Sequence, residues 1–138
     1  MKQLDVKGQT IIKTNYEIVK VVDGDGIIAK NLISNKEEEI RFYGIDAPEL
    51  TPCKKLKQDE SETHLSGRFL IELAHQSYEF LRTKAKIGKR ITLIQEVGNE
   101  QDPYGRTLAY VVLPNGNTLN EIMVKNGFAK PYNKLYCS

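Results

Sequence analysis

The strongest constraint on how this chain can fold lies in YEIVKVVDGDGIIAKNLI, residues 16–33, where two short β-branched runs flank a DGDG turn. Valine and isoleucine suit extended backbone, whereas glycine and aspartate in alternation favour a reversal. A third run, EIRFYGI, ends at Ile45 after the polar and turn-like SNKEEE, so a meander of three strands is the simplest reading. Pro48 and Pro52 then break the chain. Between Ser61 and Ala85 the period changes: Leu70, Leu73, Ala74, Ser77, Leu81 and Ala85 recur at helical spacings and Gly88 supplies a stop, which predicts a helix from about Phe69. Strands are predicted again over RITLIQE and RTLAYVVL, the latter closed by Pro114, Asn115 and Gly116. In TLNE, Thr118 can cap a short helix and Glu121 can answer it, with Gly127 as the stop. Some five strands with inserted helices fit a small, mainly β, partly open barrel, and a generic α+β sandwich fits the same counts.

Length and composition set the outer bounds. A chain of 138 residues is expected to form a single domain, 1–138, and its 40% hydrophobic and 28% charged content is that of a globular protein. No apolar run of about eighteen residues is present, so no membrane role is expected. The opening MKQLDVKGQT lacks the apolar stretch of a secretory signal, and a chain that begins after processing would read the same, so localisation stays open. Cys53 and Cys137 are expected to be free or structural thiols rather than a bridge. A formal charge of +2 does not identify a nucleic-acid binder. Its distribution is more informative, because RTKAKIGKR, Arg82 to Arg90, gathers basic residues without an acid. Such a run either attracts phosphate or is a solvated helix end whose cations suit the helix dipole.

Chemistry collects at Asp23 with Asp25, at Arg41, at Asp46 with Glu49, and at Asp102 with Arg106. Arg41 lies inside a strand-like run, where its guanidinium needs solvent or an anion because it cannot shed its charge. Asp46 follows at the strand end, and Pro48 restricts the backbone before Glu49. If the turn after Val22 packs beside that strand end, Asp25 and Asp46 converge, and a cation is the natural way to keep both ionised. Hard carboxylate oxygens point to calcium, with magnesium second. In isolation each motif also has a plainer reading, as a glycine-rich turn or a proline turn with solvated acids. DGDG fails as an EF-hand, since the glycine and glutamate positions of that loop do not match and the flanks look like strands. His64 and His75 lack zinc-ligand spacing and read as surface or helix residues.

Taken in order, VVDGD, RFYGIDAPE, DPYGRTLAYV and LNEIMVKNGFAK resemble the thermonuclease family, the calcium-dependent staphylococcal nuclease fold, over roughly residues 16–130. The resemblance implies a five-stranded barrel of the oligonucleotide-binding type with packed helices, the last family helix being absent or shortened after KPYNKLYCS. It also implies Asp25, Asp46 and the Ala47 carbonyl as Ca²⁺ ligands, Glu49 as the group that orients or deprotonates water, and Arg41 and Arg106 as the holders of the scissile phosphate. Tyr104 matches an aromatic near the nucleotide, Asp23 a site-adjacent acid, and Tyr132 and Tyr136 are candidates for stacking tyrosines although their spacing does not register cleanly. The implied reaction is hydrolysis of DNA and RNA by a monomer, with single strands preferred and 3′-phosphate ends. Gly26 stands where the family commonly has threonine, which puts calcium affinity in doubt, and Ala47 replaces a second threonine whose backbone alone is required. The segment from Pro52 to Gly67 is longer than in the founding enzyme and reads as a solvated loop or a flap. The rival function is a binding module of the same fold that has lost catalysis; the presence of Asp25, Arg41, Asp46, Glu49 and Arg106 together favours the enzyme.

Overall fold

A computed structural model describes residues 9–47 and 67–131. Its strands are β1 (Thr10–Asp23), β2 (Gly26–Asn31), β3 (Glu37–Phe42), β4 (Ile45–Asp46), β5 (Arg90–Glu96), β6 (Thr107–Val112) and β7 (Lys130–Pro131), with helices α1 (Gly67–Lys84) and α2 (Leu119–Lys125). β1, β2, β3, β6 and β5 close, in that order, into a barrel, and β4 pairs with β7 outside it. All barrel pairings are antiparallel except β3 with β6. The oligonucleotide-binding barrel expected from the sequence is therefore present, and the sandwich alternative is excluded.

Closure depends on β1, which is longer than the Tyr16–Val22 run suggests. Its first half pairs with β5 and its second half with β2, and register shifts separate Lys13 from Tyr16 and Ile18 from Lys20. Asn15 sits at the first shift with φ 67, a left-handed conformation that asparagine tolerates. The second shift moves the buried positions from Tyr16 and Ile18 to Val21, as an extra residue in a strand must. These irregularities bend one strand across two neighbours.

SNKEEE is not wholly a turn, because Glu37, Glu38 and Glu39 begin β3. Three successive acids hide the strand from a reading by hydrophobic alternation. Alternation nevertheless operates: Glu38 shares its face with the buried Ile40 and Phe42, accepts from the Tyr16 hydroxyl at 2.7 Å, and accepts from the Thr107 hydroxyl at 3.0 Å. Burial and the Glu38 carboxylate push the Tyr16 hydroxyl up to about 12.

The core is one cluster in which Leu81 of α1, Ala85 just past its end, and Leu119 and Met123 of α2 join the barrel's Ile18, Phe42, Leu93 and Val111. Thr118 caps α2, its hydroxyl accepting from the Glu121 N–H at 3.1 Å. One turn of α2 carries the buried Asn120, whose Oδ1 accepts from Val111 N–H at 3.0 Å and whose Nδ2 donates to Tyr43 O at 2.9 Å and Ala109 O at 3.3 Å. That amide replaces ladder partners where β3 and β6 part.

Asn120→Ala leaves these backbone groups buried without the amide and is expected to lower unfolding free energy by about 3 kcal/mol, measured by urea denaturation. Because the Tyr16 pKa is raised in the folded state, the folded protein keeps a proton that the unfolded chain loses above pH 10, so stability falls as pH rises toward 12. Denaturation midpoints across that interval should fall less steeply in Tyr16→Phe than in the parent.

Candidate active site

The DGDG turn connects β1 to β2, and Gly24 explains why it lies where it does. A Cβ at Gly24 would come within 2.8 Å of both the Ala47 and the Ser77 Cβ atoms, so the turn packs directly between the end of β4 and the middle of α1. Asp23 Oδ1 accepts from Asp25 N–H at 3.2 Å, tightening the turn as an aspartate two residues upstream commonly does. Gly26 opens β2 opposite both Asp23 and Arg41. A Cβ there would lie 3.2 Å from Ile40 O, a tight approach to the β3 backbone, and 3.4 Å from Asp23 Oδ1.

The turn delivers Asp25 to Asp46 and Arg41, as the strand-end argument anticipated. Arg41 Nη1 is 3.3 Å from Asp25 Oδ2 and Nη2 is 2.9 Å from Asp46 Oδ1. The guanidinium also donates to Ile45 O at 3.1 Å and Phe42 O at 3.3 Å. Ala47 N–H donates to Asp25 Oδ2 at 2.9 Å, which fixes the carboxylate of the turn to the chain just past Asp46. Arg41, Asp25 and Asp46 are 6%, 3% and 1% exposed, so the pairing works in a medium where charge is poorly screened. The anion that Arg41 requires is thus supplied by the protein itself.

A second arginine approaches along the neighbouring strand. The parallel register places Arg41 opposite Leu108. Arg106, two residues before Leu108, brings Nη1 within 4.0 Å of Glu39 Oε2, two residues before Arg41. The two arginines therefore occupy one outer face at a spacing of about 7 Å. Arg106 is held by Asp102, whose Oδ2 accepts from Arg106 Nε at 2.6 Å while Oδ1 accepts from the backbone N–H of Tyr104 at 2.9 Å and of Arg106 at 2.8 Å. Asp102 thus serves backbone and arginine donors together. Tyr104 is 72% exposed, with the Arg106 guanidinium 5.9 Å from its ring centroid. Two side chains fasten the loop beneath: Gln95 Nε2 donates to Glu100 O at 3.1 Å and Leu108 O at 3.0 Å, and the Tyr43 hydroxyl donates to Asn99 O. Neither Gln95 nor Tyr43 has a sequence signal beyond its place in a strand-like run, RITLIQE or EIRFYGI. Between this loop and β3 lies a cleft of about 230 Å³, bounded by Arg41, Tyr43, Asn99, Asp102, Pro103 and Leu108.

Glu49, Tyr132, Tyr136, His64, Cys53, Cys137 and most of the Pro52 to Gly67 segment lie outside the described residues, and His75 is exposed on α1. Among the described residues no group of three or more His, Cys, Asp or Glu side chains is placed to hold a metal, and no helix is long and apolar enough to cross a membrane.

A closed five-stranded barrel with an acid and arginine cluster on its β3–β6 face places the domain in the oligonucleotide-binding class of folds. The profile of staphylococcal nuclease homologues matches residues 39–137, and the chain belongs to that family. It is 34% identical over 114 residues to Endonuclease YhcR of Bacillus subtilis (strain 168), covering 82% of this chain and 8% of that protein. It is 29% identical over 122 residues to the Thermonuclease of Staphylococcus hyicus, covering 83% and 57%, and 27% identical over 116 residues to Endonuclease YncB of B. subtilis (strain 168), covering 84% and 47%. The chain thus spans less than two thirds of each of these relatives.

Gly24→Ala forces a methyl group into the contact with Ala47 and Ser77. We expect a loss of about 1 to 3 kcal/mol in urea unfolding, and a smaller effect of the same change when it is made in a Ser77→Gly background, where one of the two obstacles is gone.

Proposed function

We propose that this domain is a calcium-dependent endonuclease that hydrolyses phosphodiester bonds of DNA and RNA, prefers single strands, acts as a monomer and leaves 3′-phosphate ends. The observation that carries the reading is the convergence of Asp25 and Asp46 on Arg41 beside the Asp102-anchored Arg106. The relatives named as endonucleases and a thermonuclease support it.

The donor chemistry fits calcium. Asp25 and Asp46 bring two carboxylates to one guanidinium, and Asp23 lies in the same turn, so negative charge exceeds positive among these residues. Asp25, Asp46 and the Ala47 carbonyl would hold the ion, an all-oxygen set suited to a hard cation. When bound, calcium supplies Lewis-acid withdrawal of charge from a phosphate oxygen. Arg41 and Arg106 contribute fixed positive charge on the phosphate's path. Asp102 takes the Nε of Arg106, which limits the motion of the guanidinium. Glu49 accepts or steers the proton of the attacking water. The cleft behind Arg41 accommodates a base or sugar, and Tyr104 offers a face for stacking, neither of which reads base identity strongly.

Cleavage of single-stranded DNA and RNA should appear with calcium and vanish with a chelator; magnesium, the weaker candidate, should support less. Glu49→Gln and Arg106→Ala should each lower kcat by about 10²-fold or more, and Asp102→Ala by about 10-fold to 10²-fold through misplacement of Arg106. Cleavage by Glu49→Gln and Arg106→Ala at the parent rate would refute the mechanism. Binding without cleavage by the parent would instead identify a nucleic-acid-binding module.

A further inference from the structure

The basic run that ends α1 is not used by the site described above. Arg82 is paired with an acid, its Nη1 lying 3.0 Å from Glu79 Oε1, and Arg90 stands opposite Glu17 in the β1–β5 register. Lys84, Lys86 and Lys89 have no ion pair among the described residues. Only Lys84 belongs to the helix, so the helix dipole does not account for all three. They are held in a defined arrangement. Lys89 N–H donates to Lys86 O at 3.1 Å, Gly88 N–H to Ile18 O at 2.8 Å, and Ile18 N–H to Lys89 O at 3.0 Å, which pins the turn to β1. Lys84 Nζ lies 5.5 Å from the Phe80 ring centroid, and Phe80 stacks on Phe128 at 4.4 Å. Ile87, 77% exposed, stands in the middle of the group.

We propose that Lys84, Lys86 and Lys89 form a docking surface for the phosphodiester backbone of a polynucleotide, continuing the substrate path away from the scissile bond; this rests on the nucleolytic reading of the site. Charge complementarity selects the partner. Unanswered ammonium groups on an ordered turn attract a polyanion, and an exposed isoleucine among them can lie against sugar or base. Position makes the surface continuous with the site. Ser77 of α1 abuts the DGDG turn, and Lys84 lies seven residues farther along the same helix, about 10 Å at 1.5 Å per residue. That distance corresponds to about three nucleotides at 3.4 Å per nucleotide of strand. A dinucleotide in the site is too short to reach the lysines, whereas a long strand reaches them.

The test compares the parent with the triple variant Lys84→Gln/Lys86→Gln/Lys89→Gln. Anisotropy of a fluorescent single-stranded DNA 20-mer is measured in chelator over a range of salt, and hydrolysis of a dinucleotide phosphodiester is measured with calcium. The variant should bind the 20-mer at least 10-fold more weakly at low salt. Its log–log salt dependence should be shallower by about 2, the loss expected for three contacts on a single strand. Dinucleotide hydrolysis should stay within twofold of the parent, and Lys36→Gln, in the β2–β3 turn, should leave the salt dependence unchanged. Equal affinity and equal salt dependence in parent and triple variant overturn the proposal, as does a parent that does not bind the 20-mer. Parallel loss of dinucleotide hydrolysis also overturns it, since the lysines would then act through the site. Lysine-dependent binding by a parent that cleaves neither substrate supports the surface and removes the hydrolytic reading instead.

Discussion

The buried guanidinium of Arg41, held between Asp25 and Asp46, is the constraint on which the rest of the site depends. Each member comes from a different element: the β1–β2 turn, β3 and β4. Removing charges from water is costly, and a pair recovers that cost only when the remaining donors also find partners. Here the carbonyls of Phe42 and Ile45 take further guanidinium donors, and Ala47 N–H takes the Asp25 oxygen. The backbone between Arg41 and Ala47 therefore curls around its own side chain. Gly44, at φ 72, permits the reversal that brings Asp46 back toward Arg41.

This arrangement changes the meaning of the acid pair. Two nearby carboxylates destabilise one another unless a positive charge intervenes. Arg41 supplies that charge within the described protein, so the turn can be ordered before any cation arrives. Arg106 is organised by a separate device, the Asp102 turn, and reaches the same face only because β3 and β6 run parallel there. Two local solutions are thus joined by one ladder.

Much of this was legible in the chain. RITLIQE marked β5 residue for residue, because a run rich in isoleucine, threonine and leucine between a glycine stop and polar residues reads as a strand. Thr118 announced α2 by its chemistry, and the pairing of Asp25 with Asp46 followed from a turn lying beside a strand end. The acidic start of β3 was not legible, since Glu38 is stabilised on an inward-facing position by Tyr16 and Thr107, far away in sequence. The same holds for the left-handed Asn15 inside β1 and for Gln95 and Asn120. Their roles come from tertiary hydrogen bonds that no local period encodes. Gly24 and Gly26 looked like ordinary turn glycines, and only the contacts with Ala47, Ser77 and Ile40 reveal what their missing side chains allow.

Calcium binding to the Asp25 and Asp46 cluster is the central claim, and its most direct measurement is the thermal unfolding midpoint with and without calcium in the absence of nucleic acid. A cation that binds the folded chain and not the unfolded one raises the midpoint, by about 2.7 kcal/mol of added stability when calcium is 100-fold above Kd. The account predicts a saturable rise in the parent that is abolished in Asp25→Asn and Asp46→Asn, whatever midpoint those variants start from. No rise in the parent, or an equal rise in both variants, would contradict it.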